Sequence, residues 1–211
     1  MIRGEIKNID LVSRSIKEAV DAIGERQGIR ITEAYAGISG QHIRSVKQPY
    51  YVFASRGGEI RQEDVRQLHD SMRNVPAPEG EKILQIIPQN YIVDDEEETA
   101  NPVGTFGNKL ASTFNIILGD SVAINRLDIV PLGLFLNAIA SAEAVLTPDE
   151  KEEGVAVVDI GAGTTDVVVY QKNIIRHVGI IPMGGNVINK DIRSYGILEK
   201  HVENLKTRYG E

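Results

Sequence analysis

Residues 157–166 read Val-Val-Asp-Ile-Gly-Ala-Gly-Thr-Thr-Asp, and no other segment narrows the choice of fold as far. An apolar β-branched run ends in Asp159, a turn carrying Gly161 and Gly163 follows, and Thr164, Thr165 and Asp166 enter a second β-branched run. Without Cβ atoms, the two glycines let the backbone approach a phosphate closely and present its N–H groups. Thr164 and Thr165 add hydroxyl donors. Asp159, at the strand end, is placed to bind magnesium through the ion's waters, several of which magnesium usually keeps. The device is not a P-loop, because no Gly-Lys-Ser/Thr opens a helix here. The same residues also suit a plain tight hairpin, where Gly and Asp are common. Thr-Thr-Asp leading into a β-branched strand favours the phosphate device.

The rest of the chain predicts alternating helices and strands, hence a mixed α/β fold. Val12, Ile16, Val20 and Ile23 recur at helical spacing, with Asn8 or Asp10 as start and Gly28 beyond the end. Residues 30–39 and 46–54 read as strands, and Val65, Leu68 and Met72 mark a short helix. Residues 82–87 and 91–93 read as two strands parted by Pro88-Gln89-Asn90, and 110–118 as another. The acidic run 94–98 reads as a solvated loop. Residues 120–128 suit a short helix, 134–146 a strand passing into a helix, and 147–153 a charged surface loop. Three β-branched runs, 155–160, 166–170 and 174–181, predict a meander, followed by helices from about 187 and over 197–209.

Composition narrows the class of protein. Hydrophobic residues make up 42% and charged residues 25%, ordinary for a globular chain. The longest apolar runs fall short of the roughly 20 residues of a transmembrane helix. Cysteine is absent, so there is no disulfide framework, thiolate metal site or Cys nucleophile. The first residues lack a signal-peptide pattern, which argues against export. A net charge of −7 argues against a nucleic-acid partner. His42, His69, His177 and His201 are scattered, and Ser39 lacks the Gly-Xaa-Ser-Xaa-Gly elbow of a serine hydrolase.

Residues 159–166 resemble the second phosphate motif of the actin/Hsp70/sugar-kinase ATPase superfamily. Within it, the chain is similar to the FtsA family of bacterial cell-division proteins, from about Gly4 to Gly210. The resemblance rests on residues 36–43 (Ala-Gly-Ile-Ser-Gly-Gln-His-Ile), 87–94 (Ile-Pro-Gln-Asn-Tyr-Ile-Val-Asp), 101–104 (Asn-Pro-Val-Gly) and 140–147 (Ala-Ser-Ala-Glu-Ala-Val-Leu-Thr). Ile181-Pro182, Gly184-Gly185-Asn186 and Asp191-Ile192 continue it. It implies an incomplete actin-like (ribonuclease H-like) ATPase fold with an inserted FtsA-type 1C subdomain. Residues 1–41 and 119–153 would belong to subdomain 1A, 42–118 to 1C, and 154–211 to the start of 2A.

The resemblance also implies ATP and Mg as ligands. Asp159 matches the magnesium-associated aspartate, and Gly161, Gly163, Thr164 and Thr165 the phosphate loop. Gly184 and Gly185 match a glycine pair lining the cleft, and Glu203 and Lys206 a pair on the ribose and adenine side. Alone, Glu203 and Lys206 are also an ordinary salt bridge on one helix face. Asn137 stands near where relatives position the attacking water with Gln or Glu, and its shorter amide predicts slow hydrolysis. It is equally a strand-end polar residue. The implied function is a cytoplasmic adaptor, peripheral at the inner face of the membrane at the division site. It would polymerise, bind the FtsZ C-terminal tail and the membrane through regions outside this chain, and recruit later division proteins through 1C. A PilM-like pilus-assembly adaptor and a small-molecule kinase of the superfamily are the alternatives. The family's first phosphate loop, Asp-Ile-Gly-Thr, is not among these residues, so the 211-residue chain is expected to bind ATP weakly or not at all.

Overall fold

A computed structural model describes residues 8–33, 35–54, 58–96, 98–121 and 133–210. Helix α1 (Ile9–Gln27) opens the described chain. The Asn8 side chain accepts the Leu11 N–H at its start, and Gly28, in the left-handed conformation, closes its end. Two short parallel strands, β1 (Tyr35–Ile38) and β6 (Gly133–Leu136), pair residue for residue from Tyr35–Gly133 to Ile38–Leu136. The strand expected over 30–39 is therefore only four residues long, matching the length of its one described partner.

Between them lies a four-stranded antiparallel sheet in the order β2-β5-β3-β4. Its strands are β2 (Ile43–Phe53), β3 (Glu81–Val93), β4 (Glu98–Thr99) and β5 (Lys109–Asp120), with helix α2 (Gln62–Arg73) on one face. The proline segment expected to separate two strands instead sits inside the single strand β3. Pairing with β5 shifts between Pro88 and Tyr91, a bulge that absorbs the proline's missing N–H without ending the strand. In the expected acidic loop, the Asp94 carboxylate accepts the backbone N–H groups of Asn108 and Lys109, and Glu98 joins β4.

Strand β5 explains its own run of apolar residues. Phe114, Ile116 and Leu118 pack with Leu68 and Met72 of α2, whereas Ile117 faces a second core with Ile38, Leu136, Ala142, Val168 and Val178. A strand covered on both faces has no alternation to show. Asn115, 1% exposed, points to the second side and donates to the carbonyls of Ile175 and Arg176. Gln89, from the β3 bulge, donates to the Ile175 carbonyl as well. Within the first core, His69 meets the Tyr91 hydroxyl at 2.8 Å, and burial lowers its pKa.

After β6 comes α3 (Asn137–Val145), then α4 (Pro148–Glu153). The expected loop over 147–153 is thus largely a helix. Thr147 and Glu150 form a reciprocal capping box, with Pro148 in the first turn. The meander follows as β7 (Val155–Ile160), β8 (Thr165–Gln171) and β9 (Ile174–Ile181), all antiparallel. Helices α5 (Asn186–Ser194) and α6 (Glu199–Tyr209) close the described chain. The helix expected over 120–128 lies almost wholly outside the described residues.

Candidate functional site

The β7–β8 connection is a narrow turn, closed by a 2.9 Å bond from the Gly161 N–H to the Thr164 carbonyl. Register pairs Asp159 with Asp166 across the two strands, so two carboxylates flank its mouth. Each is held by a serine from elsewhere in the fold. Ser141 of α3 donates to Asp159 Oδ2 at 2.7 Å, and Ser39, just beyond β1, donates to Asp166 Oδ1 at 2.7 Å. Ser39 Oγ also lies 3.2 Å from Thr164 Oγ1. Burial raises the Asp166 pKa, opposed by the Ser39 bond and reinforced by the charge of Asp159.

The segment before α5 is stacked on this turn. The Gly185 N–H donates to the Gly161 carbonyl at 2.9 Å, and the Asn186 N–H to the Ala162 carbonyl at 2.8 Å. A Cβ on Gly184 would run into the Gly161 carbonyl oxygen and the Ala162 backbone, so glycine is the residue this approach admits. Thr165 donates its hydroxyl to the Met183 carbonyl. Helix α6 brings its charged pair alongside. Lys206 Nζ lies 2.8 Å from Glu203 Oε2 and stands beside Gly185. Asn189 of α5 also donates to Glu203 Oε2, at 2.7 Å. Lys206 and then Asn189 hold the Glu203 carboxyl below its ordinary pKa.

Asp159, Gly161, Gly163, Thr164, Thr165, Gly184, Gly185, Glu203 and Lys206 are thereby gathered into one neighbourhood, by two turns and two helices. Asn137, at the start of α3, has its amide oxygen against the backbone of Gly37 in β1. Ser39 and Ser141 enter the site as carboxylate holders, roles the sequence did not announce. No local signal marks Ser141; for Ser39 the glycines on either side of Ile38-Ser39 hint at close packing.

Two family descriptions match the chain: "SHS2 domain inserted in FTSA" over residues 40–118 and "Cell division protein FtsA" over residues 156–211. The cell division protein FtsA of Neisseria meningitidis is 37% identical over 98% of the chain, and that of Escherichia coli 32% identical over 100%. The chain belongs to the FtsA family. It spans about half the length of the curated relatives it matches, 52% in both cases. A solved PilM-PilN type IV pilus biogenesis complex contains a chain of like fold, with a TM-score of 0.62 and 17% identity over 100% of this chain and 59% of that one. The fold is the expected α/β actin-like one, with an FtsA-type domain inserted. At 17% identity the PilM likeness concerns the fold alone, and membership of the cell-division family rests on the FtsA matches.

Proposed function

We propose that this FtsA-family chain carries one wall of a site for ATP with Mg. The observation that supports it most is the stacking of Gly184 and Gly185 on the 161–164 turn, with Lys206 at its edge. The Thr164 hydroxyl and the Lys206 ammonium then flank a glycine-rich turn of the kind that accommodates a polyphosphate. The donor set fits magnesium held mainly through water. Among the described residues no three His, Cys, Asp or Glu side chains cluster into a cage, and Mg usually relies on one or two carboxylates plus phosphate oxygens. Asp159, with one oxygen fixed by Ser141, would hold the ion's waters. Bound there, magnesium would neutralise phosphate charge. Any hydrolysis is slow, in line with Asn137 being turned to Gly37.

Residues 42–118 act as the 1C-type subdomain, residues 1–41 and 119–153 as parts of 1A, and residues 154–211 as the start of 2A. The protein works in cell division as an adaptor at the inner face of the membrane. It assembles into filaments, links FtsZ filaments to the membrane and recruits later division proteins. Family membership supports this role, and the inserted domain supports recruitment. Photo-crosslinking with azido-ATP and Mg tests the nucleotide reading. ATP-competed label is expected within residues 159–206. Label confined to other segments, or no competed label at millimolar nucleotide, overturns it.

A further inference from the structure

Ser39 occupies a junction between two parts of the molecule. On one side it contacts Asp166 and Thr164, which belong to the β7–β8 connection and the start of β8. On the other side, the next residue begins the segment matched as the inserted domain, residues 40–118. The Gly40 carbonyl accepts the Ile43 N–H at 3.1 Å, and the His42 carbonyl accepts the Asp120 N–H at 3.1 Å. These bonds fix the first residue of β2 and the last of β5. A single side chain therefore stands between the glycine turn and the root of the four-stranded sheet.

A serine hydroxyl has one proton to give. The 2.7 Å bond to the Asp166 carboxylate takes it, since a bond to a charged acceptor is the stronger one. Ser39 Oγ also lies 3.2 Å from Thr164 Oγ1, and the Thr164 hydroxyl proton, like that of Ser39, serves the Asp166 carboxylate. A phosphate oxygen seated in the turn would compete for that same threonine proton.

We propose that Ser39 is a positioning residue that couples the glycine turn to the root of the inserted sheet, so that a phosphate group in the turn alters the order of the first residues of β2. The tie itself stands on geometry alone; the identity of the phosphate ligand rests on the nucleotide reading above.

Hydrogen–deuterium exchange on the full chain tests both parts. Without ligand, Ser39→Ala should speed exchange about tenfold to a hundredfold at both residues 161–166 and residues 42–46, the loss expected for a bond to a charged group. Ser39→Thr, which keeps a hydroxyl, should stay near the parent, whereas Ser39→Val, of the same shape without it, should follow Ser39→Ala. Acceleration of only one segment, of neither, or equally in the Thr and Val variants overturns the tie. Saturating Mg-ATP, with inorganic phosphate in parallel, is then added. Protection of 161–166 together with changed exchange at 42–46, abolished in Ser39→Val, supports the coupling. Protection of 161–166 with 42–46 unchanged overturns it. If neither probe protects 161–166 in the parent, the phosphate-site reading fails and the coupling to a ligand falls with it. The ligand-free comparison still decides the tie.

Discussion

The Tyr170 hydroxyl donates to Glu143 Oε1 at 2.9 Å, joining the buried face of β8 to the exposed side of α3. Lys151 of α4 completes the arrangement, 2.8 Å from the other oxygen of Glu143 and 5.4 Å from the centroid of the Tyr170 ring. Helix α3 is thus fastened near its C-terminal end while Ser141, one half-turn earlier, holds Asp159.

Tyr170→Phe removes only the hydroxyl and should lower stability by about 1–2 kcal/mol in urea unfolding at pH 7. Lys151 first, and then Tyr170, hold the Glu143 carboxyl below its ordinary pKa. A depressed carboxyl contributes its full stabilisation above the unfolded-state pKa and loses it as pH falls through the folded-state value. The gap between parent and Tyr170→Phe should therefore narrow in acid. A gap that is constant or widens down to pH 3 contradicts a bond to the ionised carboxylate.

Gly184 and Gly185 are adjacent, yet substitution should separate them sharply. An alanine Cβ at 184 meets the Gly161 carbonyl and the Ala162 backbone, whereas at 185 its nearest neighbour is the flexible Lys206 Nζ, 3.8 Å away. Gly184→Ala should cost about 1–3 kcal/mol, as for overpacking elsewhere, and Gly185→Ala less than about 0.5 kcal/mol. Thermal melts of the two variants check this. Equal losses would mean that the two glycine segments do not stack as described.

Much of this site was legible because its signals are local. Asp159 and the two glycines announce a turn within six residues, and Asn8 and Gly28 announce the ends of α1. What the sequence hid is mostly long-range or cooperative. The Ser39–Asp166 bond joins residues 127 apart, and no spacing rule reaches that far. Pro88 reads as a strand break because its missing N–H is a local fact, whereas the bulge that accommodates it depends on β5. Residues 147–153 read as a loop through their charge, although Thr147, Pro148 and Glu150 form a helix start. There the charge run outweighed the capping signal.

Asn115 offers the sharpest electrostatic test. Its amide donates to two carbonyls of β9 from a site that is 1% exposed. Asn115→Asp would set a carboxylate against those carbonyl oxygens, and should cost about 3 kcal/mol or more at pH 7. Burial would raise the new carboxyl's pKa above its unfolded value. Such a group is least harmful when protonated, so stability should recover as pH falls toward 5. Urea midpoints between pH 5 and 8 check the sign; a loss independent of pH would place residue 115 in contact with water.

Strand β5 has a consequence for how the molecule comes apart. Its residues are divided between two cores, Ile117 in one and Phe114, Ile116 and Leu118 in the other. Melting either core would uncover one face of that strand. The inserted sheet and the meander therefore behave as one cooperative body rather than two beads on a string. Tyrosine fluorescence and far-ultraviolet dichroism should trace a single coincident transition.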